Sequence, residues 1–113
     1  MGKMSRDKGK VGEREFARLC RNHGYDAKRT AQFRGNTGAA GDVEGLPGIH
    51  AEVKRTEALR VWDYMNQSKH DAVAAAKGEI PIVAWRKNNH PWLVILEFED
   101  FMRLYAAWEV GEE

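Results

Sequence analysis

Cysteine is nearly missing from this chain. Cys20 stands alone among 113 residues, so no disulfide can close within it, and a reducing cytoplasm suits it. Long apolar runs are missing too: none approaches the roughly 18 residues of a membrane span. The opening residues are basic with no apolar segment behind them, so no secretory signal is read there and no membrane partner is expected. The four histidines stand apart at positions 23, 50, 70 and 90, and no Cys/His spacing fits a zinc site. There is no internal repeat and no linker long enough to divide the chain.

The composition that remains is that of a globular protein, 42% hydrophobic and 31% charged. A chain of this length buries roughly two-thirds of its unfolded surface, enough for one core. The net charge of +1 conceals an uneven layout. Residues 1–34 carry ten Lys and Arg against four Asp and Glu, a net of +6, and the remainder is −5. A basic front end on a near-neutral protein points to phosphate binding. Residues 1–9 read as a flexible basic tail, and residues 10–110 as a single domain.

Periodicity orders the elements. From Val11 to about His23, Phe16, Leu19, Cys20 and His23 fall on one helical stripe, and Gly24 ends it. Tyr25 to Thr30 reads as a strand, and the glycine-rich AQFRGNTGAAG of residues 31–41 as a loop. Asp42 to about Glu44 and Ile49 to Arg55 form a hairpin. A helix over Trp62 to about Lys77 presents Trp62, Met65, Lys69, Val73 and Ala76 along one side. Ile80 to Lys87 and Trp92 to Glu97 are β-rich runs around Asn88-Asn89-His90-Pro91. The last helix aligns Phe101, Leu104, Tyr105 and Trp108. The order αβββαββα specifies an α/β fold, a mixed five-stranded sheet flanked by helices.

The hairpin carries the chemistry. In IHAEVKR, Ile49, Ala51 and Val53 face a core, while His50, Glu52 and Lys54 face solvent or a cleft. Asp42 joins the polar face only in one parity of pairing. With Glu44 opposite Ile49 it would fall on the wrong side; with Glu44 opposite Gly48, the expected register, it lies diagonal to Glu52. Glu13, a misfit on the apolar stripe of the first helix, is a third candidate. Three carboxylates spaced at about 5 Å repel by about 3 kcal/mol per pair at an effective dielectric near 20. Such a group holds a proton or a cation, and hard oxygen donors select Mg²⁺ or Mn²⁺. A cation there lowers the pKa of a bound water and clamps a phosphate oxygen, the requirements of phosphodiester hydrolysis. Lys54 orients the water and offsets transition-state charge. An acidic-x-Lys triplet arises by chance roughly once per hundred residues, and Asp26-Ala27-Lys28 is one, but no acid-led strand precedes it.

The stretches KGKVGEREFARLC, KRT, GDVEG and HAEVKRTE resemble the PD-(D/E)xK nuclease superfamily, with Gly41 where a proline often stands. More closely they resemble the archaeal-type Holliday junction resolvases, phage-borne relatives included, from about Lys8 to Trp108. The resemblance implies a restriction-endonuclease-like fold and a metal site of Glu13, Asp42, Glu52 and the Val53 carbonyl. It implies Lys54 as the catalytic lysine, Thr30 near the scissile phosphate in place of the usual serine, and Gln67 touching DNA or a metal-bound water. It also implies a homodimer acting on branched DNA, four-way junctions above all.

Lys8, Lys10, Arg14, Lys28, Arg29 and Arg34 would form the phosphate track, and Phe33 a wedge at the junction centre. Cys20 is read as core, Trp85, Trp92, Tyr105 and Trp108 as core or dimer contacts, and the run Trp92 to Leu96 is expected to be covered. His50 reads as exposed or as support for the site. The alternatives are a nuclease or nickase of this superfamily acting on duplex or flapped DNA, and a non-catalytic DNA-binding subunit. The intact acid set and lysine weigh against the last, because binding alone needs no carboxylates beside a phosphate track.

Overall fold

The computed structural model describes residues 3–30 and 41–111, and side chains from Gly9 onward. Helix α1 (Lys3–Asn22) leads into β1 (Lys28–Arg29), β2 (Val43–Glu44) and β3 (Ile49–Arg55). Helix α2 (Val61–Ala75), β4 (Ile80–Arg86), β5 (Leu93–Ile95) and α3 (Phe98–Gly111) follow. The order is the one expected. The five strands form one sheet in the order β1-β2-β3-β4-β5. All neighbours are antiparallel except β3 and β4, which run parallel because α2 connects them as a crossover.

The two faces of β3 pack differently. Ala51 and Val53 join Val43, Ile82 and Ala84 in a core closed by Phe16 and Ala17 of α1. On the opposite face, Val83 and Trp85 of β4 pack against Met65 of α2. The sheet and α1 are further tied at Glu15, which accepts hydrogen bonds from Arg86 Nη1 and, at 2.9 Å, from Trp92 Nε1. Among the described residues no helix is long and apolar enough to cross a membrane.

Several boundaries depart from the sequence reading. The first helix begins at Lys3, not Val11, so residues assigned to a flexible tail are helical in backbone. Once a helix is nucleated, each added residue gains a hydrogen bond, and no proline stops it here. Strand β1 is only Lys28–Arg29, and Tyr25 is exposed. On α2 the buried residues are Met65, Ser68 and Ala72; Trp62 and Val73 face solvent, so the inward stripe is rotated from the one expected. Among the described residues the run on β5 is covered only in part: Leu93 and Val94 are about half exposed on an edge strand. Helix α3 buries none of its residues, which removes Tyr105 and Trp108 from the core, whereas Trp85 is buried and Trp92 packs on the α1 core.

Residues 45–48 form the β2–β3 turn. It is closed by the Ile49 N–H donating to the Leu46 carbonyl at 3.0 Å. Gly45 has φ +109°, and a Cβ there would stand 2.2 Å from the Asp26 carbonyl oxygen, whereas Gly48, at φ +84°, has open space around it. Gly48→Ala is expected to cost about 1–2 kcal/mol from backbone strain alone, and Gly45→Ala about 3 kcal/mol or more. Urea unfolding of the two variants checks the difference.

Candidate functional site

Pairing of Val43 with Ala51 fixes the site. It shifts β2 by two residues from the expected register, and Asp42, one residue before the strand, turns its carboxyl to that of Glu52. Gly41 permits the crossing: a Cβ on it would lie 2.9 Å from the Ala51 carbonyl oxygen. Asp42 is then held from three sides. Its N–H donates to the Ala51 carbonyl at 2.8 Å, its carbonyl accepts from Thr30 N–H at 2.9 Å, and its Oδ2 accepts from Val53 N–H at 2.8 Å.

Burial first, and then the charge of Glu52, push the Asp42 carboxyl up to about 7, against the hydrogen bond from Val53 and the nearby Lys54. A half-buried and a buried carboxylate with too little positive charge between them make an acceptor for a proton or a cation. Burial also raises the Glu13 carboxyl, opposed by the hydrogen bond from Arg29 and helped by Asp42. Arg29 Nε donates to Glu13 Oε1 at 2.6 Å.

Glu13, Asp42, Val53, Lys54, Thr56 and Gln67 line one open cleft of about 470 Å³. Lys54 Nζ rests 5.3 Å from the centre of the Tyr64 ring, where the ring quadrupole attracts it. The Tyr64 hydroxyl meets Thr56 Oγ1 at 3.0 Å, and Trp85 Nε1 donates to the same oxygen at 2.9 Å. Tyr64 and Gln67, three residues apart on α2, share one side of the helix, a spacing that would have marked Tyr64 in the sequence.

The polar face of β3, expected to meet solvent or a cleft, meets the cleft at Lys54 but is buried at His50 and Glu52. His50 is 1% and Glu52 2% exposed, sealed on the α2 side of the sheet, so Glu52 sits behind the cleft rather than in its wall. His50 Nε2 lies 3.2 Å from Glu52 Oε1, and its Nδ1 lies 3.8 Å from Glu79 Oε1. Burial pulls the imidazole pKa down, but the hydrogen bond and charge of Glu52, with Glu79 and Asp71, outweigh it and leave the pKa raised. Among the described residues, the donor group gathered within 4.8 Å is His50, Glu52 and Asp71, not Glu13, Asp42 and Glu52. Asp71 was not singled out in the sequence; its signal is its place beside Ala72, three residues past buried Ser68.

Thr30 does not reach the cleft. Its hydroxyl is buried with no partner among the described residues, and Thr30 lines a separate cavity of about 170 Å³ beside His50 and Glu79. Lys10 and Arg14 are exposed, and Lys28 is exposed beside Glu44 at 3.6 Å. Phe33, Arg34 and the side chain of Lys8 lie outside the described residues.

No protein-family model and no curated protein matches the sequence. Among solved structures the chain is similar to Hjc, a Holliday junction resolvase from the archaeal hyperthermophile Archaeoglobus fulgidus. The TM-score is 0.60 and the identity 21%, over 78% of this chain and 76% of that one. At that identity the likeness establishes the fold, the restriction-endonuclease-like arrangement of a mixed sheet between helices.

A raised Asp42 means that the folded state binds this proton more tightly than the unfolded chain does. Its contribution to stability is fully present below about pH 4 and is lost as pH rises through about 7. In EDTA, the melting temperature of the protein is expected to fall over that window by several degrees more than that of Asp42→Asn. Mg²⁺ is expected to raise it more at about pH 8 than at about pH 5. Circular dichroism melts across pH check both.

Proposed function

We propose that this chain is a divalent-metal-dependent endonuclease that resolves four-way DNA junctions by paired symmetric nicks. The observation that carries the reading is the approach of the Asp42 carboxyl to that of Glu52, with Lys54 two residues on, beside a cleft that Glu13 also lines. The fold it shares with a junction resolvase supports the choice of substrate.

The donor set fits a hard cation. Carboxylates of Glu13, Asp42 and Glu52 and the Val53 carbonyl would hold Mg²⁺ or Mn²⁺, with Glu13 exchanging the Arg29 guanidinium for it. Such an ion, when bound, would supply a water of lowered pKa and positive charge against the phosphate. Lys54, held over Tyr64 with its ammonium toward the cleft, orients the attacking water and stabilises the extra negative charge of the transition state. Gln67 positions that water or the DNA from the cleft wall. Arg29, freed from Glu13, joins Lys8, Lys10, Arg14 and Lys28 on the phosphate backbone. Binding through such a track loses affinity with salt at a log–log slope of roughly −0.9 per phosphate contact.

Symmetric nicking of a four-way junction calls for two sites related by a two-fold axis. Helix α3 offers the surface. Phe101, Tyr105 and Trp108 form an aromatic ladder with ring centres 6.1 and 5.6 Å apart, and Phe98, Met102, Leu104 and Val110 flank it. These seven are 41–70% exposed. At roughly 200 Å² each they leave about 700 Å² of apolar surface open, near the roughly 800 Å² each partner of a standard interface buries. The charges on α3 are Glu99, Asp100 and Glu109 against Arg103, so the helix repels a phosphate backbone. A second copy of the chain is the occupant that fits.

Incubating the protein with mobile and fixed four-way junctions, in Mg²⁺ or in EDTA, tests the activity. Paired symmetric nicks that vanish in EDTA are expected. Equal cutting of plain duplex, or binding without cleavage, would refute junction resolution. Glu52→Gln and Lys54→Ala are each expected to reduce cutting by at least about 10³-fold while junction affinity stays within a few-fold. Gel shifts on the same junctions provide that control. Trp108→Glu combined with Phe101→Glu is expected to convert a dimer into a monomer, read by sedimentation velocity.

A further inference from the structure

We propose that His50, Glu52 and Asp71 form a second cation site, on the α2 side of β3, selective for a borderline ion such as Zn²⁺ over Mg²⁺. It shares Glu52 with the hydrolytic cleft and rests on that reading only in what its occupancy would do there.

Three observations carry the proposal. The donor atoms of the three residues lie within 4.8 Å of one another, and the 3.2 Å between His50 Nε2 and Glu52 Oε1 is the spacing of two ligands on one small ion. The imidazole has the environment of a ligating histidine. Nε2 lies against Glu52, and its buried Nδ1, without a hydrogen-bond partner among the described residues, has Glu79 Oε1 at 3.8 Å, within a small shift of the outer carboxylate contact that orients a metal-bound imidazole. The site is also reachable. Asp71 and Glu79 side chains are 19% and 25% exposed, and His50 lines the cavity of about 170 Å³ that opens beside Glu79.

The chemistry separates this site from the cleft. One imidazole nitrogen and two carboxylate oxygens bind Zn²⁺ or Mn²⁺ more tightly than Mg²⁺, which prefers an all-oxygen shell with retained water. Because Glu52 belongs to both sites, an ion on the α2 side fixes the carboxylate that the cleft uses.

The test is Zn²⁺ binding by isothermal titration in excess Mg²⁺, which occupies the cleft and needs no DNA. One tight equivalent of Zn²⁺ is expected on the wild type. Asp71→Asn and His50→Gln are each expected to weaken it at least tenfold, and Asp42→Asn to leave it within twofold. Zn²⁺ is also expected to shift the ¹⁵N resonance of His50 Nε2. Asp71 is partly exposed, so its variant keeps the test valid if the His50 variant fails to fold. No Zn²⁺ uptake by the wild type, or uptake that Asp42→Asn removes and Asp71→Asn does not, would overturn the proposal. A chain that cuts no junction yet binds Zn²⁺ in this pattern would refute the nuclease reading and keep this site.

Discussion

Like charges held in contact organise this molecule. The Asp42 carboxyl, one residue before β2, meets that of Glu52 on β3 beside the pairing of Val43 with Ala51. That opposition opposes folding, as burial and repulsion drive the Asp42 carboxyl up to about 7. The backbone secures it nonetheless. Asp42 is bonded to Ala51, Thr30 and Val53, so three strands would have to part before the two acids could separate. A chain that commits its sheet to such a pair has a positively charged occupant as its relaxed state.

Strand β3 divides its residues between two purposes. One face supplies Ala51 and Val53 to an apolar core under α1. The other supplies His50 and Glu52 to a polar seam that includes Ser68, whose hydroxyl donates to the Ile82 carbonyl at 2.9 Å. The apolar face provides the burial energy and the polar seam spends part of it on fixing side-chain directions. The cleft needs both, since Lys54 and the Val53 carbonyl project from the end of a strand that cannot rotate.

Much of this was legible in the sequence, for local reasons. The element order follows from periodicity; alternation left two registers of the hairpin open, and the expected one survives the observed slip because a shift of two residues, unlike one, keeps each side chain on its face. The slip itself escaped because a turn with two positive-φ glycines, Gly45 and Gly48, accommodates more than one loop length. Burial of the polar face escaped for a different reason. Alternation tells which residues share a face but not whether a helix lies over it, and α2 presents Ser68 there, a residue that reads as exposed. The Arg29–Glu13 pair and the approach of Asp71 to His50 join distant segments, and pairing across 16 and 21 positions leaves no mark in spacing. Helix α3 was legible as amphipathic, yet a stripe of aromatics reads the same whether it meets its own sheet or another chain.

Lys54 does not choose its own direction. Its ammonium rests on Tyr64, the Tyr64 hydroxyl rests on Thr56, and Thr56 receives the indole N–H of Trp85 from the neighbouring strand. The lysine is therefore the last member of a relay that starts in the hydrophobic layer beneath α2. Evolution can retune its reach by altering an indole or a threonine hydroxyl and leave every charged group in the cleft unchanged.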